Sequence, residues 1–161
     1  MAAQLHPDVA ALAPLIGTWE GEGSGEYPTI EAFEYRESVT FTHVGKPFVA
    51  YAQRTWHPVS GLPMHSETGY VRVPAPGTVE IVMAHPTGLT EVYVGGIAVD
   101  HGILVVDVRS RSIGSTPTAK DVVATERTLS VSGNELRYTF RMAAVGLTLQ
   151  HHLSATLRRS T

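Results

Sequence analysis

Along residues 31–159, apolar and polar side chains alternate with a period of two, in runs broken at short intervals by Gly, Pro, Asn and Asp. Successive side chains of a strand point to opposite faces, so this pattern predicts half-buried β-strands. Phe33, Tyr35, Val39 and Phe41 share one face of the first such run, with Ser38, Thr40 and Thr42 on the other. A turn at Gly45-Lys46-Pro47 leads into a strand over 48–56, and a turn at Ser60-Gly61 into one over 64–73. Pro74-Ala75-Pro76-Gly77 breaks the chain before 79–83; further runs cover 89–94, 97–99, 103–108, 120–131, 136–142 and 147–157. Asp100-His101-Gly102 and Ser132-Gly133-Asn134 carry hairpin-turn chemistry. The longest predicted loop, 110–118, is polar and lacks strand periodicity.

Ahead of these runs, Asp8 is placed to cap a helical turn or two through Val9-Ala10-Ala11-Leu12, which Pro14 interrupts. Leu12, Leu15 and Ile16 would then cover one end of a core. The segment Gly17-Thr18-Trp19-Glu20-Gly21-Glu22-Gly23 alternates glycines with larger residues. It has neither the Lys-Ser/Thr ending of a phosphate loop nor the glycine spacing of a dinucleotide fingerprint. Glycines in a strand mark bulges or close backbone approach, and a Trp among them suits a plug at the bottom of a barrel. The whole reads as one all-β domain over residues 1–161: an antiparallel up-and-down β-barrel of about ten strands with a short N-terminal helical turn. Closure removes sheet edges. Past about eight strands, side chains no longer fill the interior, which suits a ligand carrier or a small enclosed active site.

Composition narrows the chemistry. With 12 Lys+Arg against 15 Asp+Glu the net charge is −3, without the basic clustering of a nucleic-acid footprint. The absence of cysteine excludes disulfides, thiolate ligands and cysteine nucleophiles. The N-terminal residues lack the basic start and apolar run of a signal peptide, and no apolar segment is long enough to span a membrane as a helix. A cytoplasmic protein without membrane or nucleic-acid partners is therefore expected; partner proteins are not legible. The chain has eight histidines, a number that matters only where several converge. Catalytic spacings such as His-x-x-x-His and Gly-x-Ser-x-Gly do not occur. Zinc would need three or four converging ligands, and the candidates His43, His65, His85 and one of His151 and His152 come from scattered strands.

The motif Gly17-Thr18-Trp19-Glu20-Gly21-Glu22-Gly23 resembles the GxWxGxG signature of the nitrobindin family, haem-binding β-barrels similar in shape to fatty-acid-binding proteins. Tyr27-Pro28-Thr29, Phe33-Glu34-Tyr35, His43-Val44-Gly45-Lys46-Pro47, Met64-His65-Ser66-Glu67-Thr68-Gly69-Tyr70 and Gln150-His151-His152-Leu153 also resemble that family, in its order and over essentially the whole chain. The resemblance implies haem b with ferric iron as cofactor, nitric oxide binding, and isomerisation of peroxynitrite to nitrate, with no catalytic residue beyond the iron. It implies that His152, directly before a Leu on the last strand, is the proximal iron ligand. It also implies that His65, with Met64 beside it, belongs to the distal side.

The residues themselves leave alternatives. Leu147, Leu149, His151, Leu153, Ala155 and Leu157 share one face of the last strand; Gln150, His152, Ser154 and Thr156 share the other. If small residues mark the cavity, His152 faces it; if the exterior is the polar face, His151 does. The resemblance points to His152. Thr40 is a candidate for contacting ligand or water, against the reading of an ordinary strand residue. Lys120 is a candidate for meeting a haem propionate, against that of a solvated lysine. His43 and His85 read as turn or surface histidines, and Arg127 either pairs with Glu126 across strands or covers the Trp19 end. A different class of function uses the same cavity: a carrier of a fatty acid or other apolar small molecule, without haem.

Overall fold

A computed structural model describes residues 3–160. Ten antiparallel strands follow a 3₁₀ helix at Pro7–Leu15: β1 Gly17–Tyr27, β2 Ile30–Thr42, β3 Val49–Trp56, β4 Pro63–Arg72, β5 Thr78–His85, β6 Leu89–Asp100, β7 Ile103–Ser115, β8 Val122–Ser132, β9 Glu135–Ala144 and β10 Gln150–Arg159. Each strand pairs with its sequence neighbour, and β1 pairs with β10 to close the barrel. The predicted all-β barrel of about ten strands is what forms. Among the described residues no helix is long and apolar enough to cross a membrane.

Local structure departs from expectation at several points. Asp8 does not cap the helix; His6 does, its Nδ1 accepting from the Asp8 backbone N–H at 3.2 Å. Pro14 does not interrupt it but lies inside, tolerated because the helix is of the short 3₁₀ type. The runs 89–94 and 97–99 are one strand, β6, with a register shift between Val92 and Tyr93. The expected loop over 110–118 is wrong over its first two thirds: β7 continues to Ser115, paired with β6 through Leu89↔Ser115. Lys120 does not open a strand; it is exposed in the loop before Val122.

The lumen is divided by chemistry. At one end Leu12, Leu15, Trp19, Leu104, Val131, Leu136 and Leu157 form a fully buried apolar floor. Trp19 is the plug its glycine-rich setting suggested, its indole N–H donating to the Leu15 carbonyl at 2.8 Å. Arg159, not Arg127, covers this end: its guanidinium lies 4.1 Å from the Trp19 ring centroid and donates to the Pro14 and Ile16 carbonyls. Arg127 instead points into the lumen, while Glu126 pairs on the outside with Arg141 at 2.8 Å. The apolar compartment retains a cavity of about 60 Å³, lined among others by Phe41, Val71, Met83 and Leu136.

The glycines of β1 permit close approach of the closing strand. A Cβ at Gly21 would strike the Thr156 carbonyl and the Leu157 backbone, and neither can swing away as a side chain would. A Cβ at Gly96 would meet only the Gly77 carbonyl, at an ordinary contact distance of 3.8 Å. Gly21→Ala is therefore expected to lower stability by about 1–3 kcal/mol, the usual range for overpacking, while Gly96→Ala stays near wild type. Urea unfolding midpoints compare the two; equal midpoints would show that the β1–β10 joint yields freely.

Candidate functional site

Beyond the apolar floor the interior turns polar. Inward positions on β2, β3, β4, β6, β8 and β9 carry Glu37, Tyr51, Gln53, Glu67, Glu91, Tyr93, Thr125, Arg127 and Tyr138. Arg127 reaches across the lumen and grips Glu67 with two parallel bonds, 2.7 Å to Oε1 and 3.0 Å to Oε2. Its Nε donates to Tyr93 Oη at 2.9 Å, and its guanidinium lies 4.6 Å from the Phe140 ring centroid. Tyr51 donates a further bond to Glu67 at 2.6 Å. Burial alone would raise the Glu67 pKa, yet the Arg127 charge and its two bonds, with the His65 and His85 rings close by, hold it well below the usual carboxylate range. Glu91 is likewise opposed by burial but lowered, by its bond to His85 and the Arg127 charge.

Glu37 behaves oppositely. Burial pushes its pKa up to about 7, against bonds from Gln53 at 2.6 Å and Tyr138 at 2.8 Å. Tyr138 is itself bonded to Tyr35, hydroxyl to hydroxyl, at 2.7 Å. Desolvation raises both phenols, so they remain protonated and continue the chain as neutral groups.

At the end opposite Trp19, β10 carries a bulge. Arg141 pairs with His151 and Phe140 with Leu153, leaving His152 as the extra residue. The strand-parity argument for His152 is thereby overturned: Ala155 and Leu157 face the lumen and Thr156 is exposed, so the small-residue face is not the interior. The bulge nevertheless leaves His151 exposed and His152 half-buried. The His152 ring lies among Tyr27, Phe33 and Phe140, with centroid distances of 5.3, 6.3 and 5.9 Å. Its Nδ1 meets the Glu26 carbonyl at 2.9 Å. That bond makes Nδ1 the protonated nitrogen and leaves Nε2 with its lone pair. Desolvation lowers the His152 pKa, favouring the neutral ring. The loop into β10 begins at Val145, a β-branched residue held at φ +48°, a conformation that stores strain.

The other sequence candidates disperse. His65 faces inward beside Glu67, whereas Met64 lies on the opposite face of β4 and is exposed. Thr40 turns outward between inward-facing Val39 and Phe41, its hydroxyl 3.5 Å from the Ala52 carbonyl; the structure does not bring it to this end. Lys120 is exposed on a loop at the same end as His152. His85 corrects the surface reading: its side chain is only 8 % exposed, and its two nitrogens face Glu91 at 2.6 Å and His65 at 3.3 Å. Glu37, Glu67, Glu91 and Arg127 were missed as a group. The available signal was a charged residue on the otherwise apolar face of an alternating run, as Glu37 is between Tyr35 and Val39.

A closed barrel with an apolar floor, a charged middle and a half-buried imidazole with one free nitrogen at its other end defines a small-molecule-binding barrel. Comparison with known proteins makes this specific. A family model described as THAP4-like, heme-binding beta-barrel domain matches residues 8–159, and the chain belongs to that family. It is 58% identical over 161 residues to a Mycobacterium marinum protein named Peroxynitrite isomerase 2, covering 100% of both chains. It is 50% identical over 162 residues to Peroxynitrite isomerase 1 of Mycobacterium tuberculosis, covering 99% of each. The crystal structure of Rv2717c from M. tuberculosis superposes with a TM-score of 0.96 at 50% identity, covering 98% of this chain and 100% of that one. The expected membership of a haem-binding barrel family is thus borne out.

Glu37 supplies a test of the polar interior. Its pKa of about 7 lies above the ordinary 4.5, so the native state holds this proton more tightly than the unfolded chain does. The resulting stabilisation is complete below the ordinary carboxylate range and is lost as pH rises through about 7. The gap corresponds to roughly 3 kcal/mol. Glu37→Gln, neutral at every pH, is expected to lack this loss. Unfolding free energies measured from mildly acidic to mildly alkaline pH should separate the two proteins; parallel profiles would mean that Glu37 is ionised throughout.

Proposed function

We propose that this chain binds haem b through His152 and acts as a peroxynitrite isomerase that also binds nitric oxide. The observation that carries the reading is the bulged His152, turned inward with its Nδ1 on the Glu26 carbonyl and its Nε2 free. Histidines that ligate metals commonly donate their second ring N–H to a carbonyl or carboxylate, which fixes tautomer and orientation. Haem iron takes an axial imidazole in its neutral form, the form that desolvation favours at His152. The surroundings suit an apolar macrocycle: three aromatic rings flank the imidazole, and Val59, Leu62, Met64 and Val145 stand exposed at the same end. The names of the relatives support peroxynitrite as the substrate.

When bound, ferric haem supplies a Lewis-acid centre at which peroxynitrite is converted to its isomer nitrate, without an external reductant. The Glu26 carbonyl, on Nδ1, fixes the ring so that the free Nε2 of His152 would hold the iron, with Tyr27, Phe33 and Phe140 flanking the imidazole. His65 is the inward-facing residue we assign to the distal side, Met64 adds apolar surface at the rim, and exposed Lys120 is available to a propionate. Thr40, on the outer face, has no part in this reading. The carrier reading draws less support, since it leaves the oriented and half-buried His152 ring without a role.

Haemin titration followed at the Soret band tests the ligand. His152→Ala is expected to lose the His-ligated spectrum and bind haemin at least about tenfold more weakly, while His151→Ala retains both. Undiminished haem binding and an unchanged spectrum in His152→Ala would overturn the assignment.

A further inference from the structure

Inside the barrel, His65 Nε2, His85 Nδ1 and Glu67 Oε2 converge from β4 and β5. His85 Nδ1 lies 3.3 Å from His65 Nε2 and 3.3 Å from Glu67 Oε2, and His65 Nε2 lies 3.7 Å from the same carboxylate oxygen. Donor atoms held about 2.0–2.1 Å from a tetrahedral Zn²⁺ stand roughly 3.4 Å apart. The triangle therefore has the size of one face of such a coordination shell. We propose that His65, Glu67 and His85 form a binding site for a divalent transition-metal ion, best suited to Zn²⁺, with a fourth position open to water or a small anion.

The groups behind the triangle complete the case. Glu91 Oε2 takes the other ring nitrogen of His85 at 2.6 Å, the carboxylate–histidine pairing that typically backs a metal ligand. His85 Nδ1 faces the Glu67 oxygen and His65 Nε2 at 3.3 Å each, so three groups able to donate to one ion share a single small opening. Glu67 is oriented from behind by Tyr51 at 2.6 Å and by the two Arg127 bonds. Thr125 donates to Glu91 Oε1 at 2.6 Å, fixing the outer carboxylate too. The charges are also compatible: Glu67 and Glu91 carry two negatives against the one positive of Arg127, so a dication leaves the cluster with a single positive charge. Two imidazoles and a carboxylate with an open position form the donor set of catalytic zinc sites.

The inference stands on the geometry of this cluster and shares His65 with the haem reading; His85 and Glu91 belong to the metal site alone and separate the two. Co²⁺ serves as the probe, added to the full haem-free chain and followed by its visible d–d absorption; calorimetry with Zn²⁺ repeats the measurement on the haem-loaded chain. One equivalent with the intense bands of a tetrahedral site is expected, displaced by Zn²⁺. His85→Ala should abolish the bands, Glu91→Gln should weaken binding by roughly 10–100-fold, and His152→Ala should leave it unchanged. His65→Ala removes a ligand whose side chain is 34% exposed, which keeps the test open should the His85 variant fail to fold by circular dichroism. Absence of a saturable tetrahedral signal in the wild type, or an equal signal in folded His85→Ala or His65→Ala, overturns the proposal. Loss of haem binding in His152→Ala has no bearing on it.

Discussion

The interior of this barrel is organised by the grip of Arg127 on Glu67. A guanidinium on β8 and a carboxylate on β4 meet across the lumen, the carboxylate buried and the guanidinium largely so, with two bonds of 2.7 and 3.0 Å. Such a pair is not in itself a large source of stability, because desolvation opposes the attraction; stranding either partner, however, costs several kcal/mol. The remaining lone pairs and protons are consequently committed. Tyr51 closes on Glu67, Tyr93 accepts from Arg127, and Phe140 offers its ring face to the cation. Strands distant in sequence are thereby held at one separation and one rotation, and the histidines of β4 and β5 inherit their positions from Glu67.

The pair also divides the lumen. Toward Trp19 the inward side chains are aliphatic and aromatic; toward His152 they are carboxylates, phenols and imidazoles. A barrel of ten strands has room for a ligand on geometric grounds alone. Here much of that room is taken by side chains that satisfy one another. What remains for chemistry lies at the polar end, where exposed apolar residues surround the mouth and the interior is charged. The family to which the chain belongs is described by haem binding.

That division explains what was legible in the sequence. Where the lumen is apolar, alternation is strong, and β2, β3, β5 and the Trp19 plug could be read directly. Where it is polar, both faces of a strand are hydrophilic and the alternation disappears. The second half of β7 therefore looked like a loop, although Ser110 accepts from the Thr125 backbone N–H at 2.9 Å and Ile113 pairs with Glu91. The β10 bulge was invisible for another reason. One extra residue exchanges the faces of a strand without leaving a hydrophobic signature, so parity assigned the wrong side chains to the lumen around His152. His85 was misjudged because its partners come from β4 and β6, and no local pattern records a contact made only when the sheet curls.

The joint between β1 and β10 has a consequence for the order of events during synthesis. The Glu26 carbonyl that orients His152 lies more than a hundred residues before it, and the Arg159 that covers Trp19 comes from the last strand. Neither contact can exist on a partial chain. Non-local pairing of this kind makes folding slow relative to helical proteins, and a ribosome releases residues one at a time. The glycine-rich first strand must wait, with one edge open, until the tenth has emerged. The orientation of the His152 imidazole is therefore among the last features of the barrel to form, set only when β10 closes on β1.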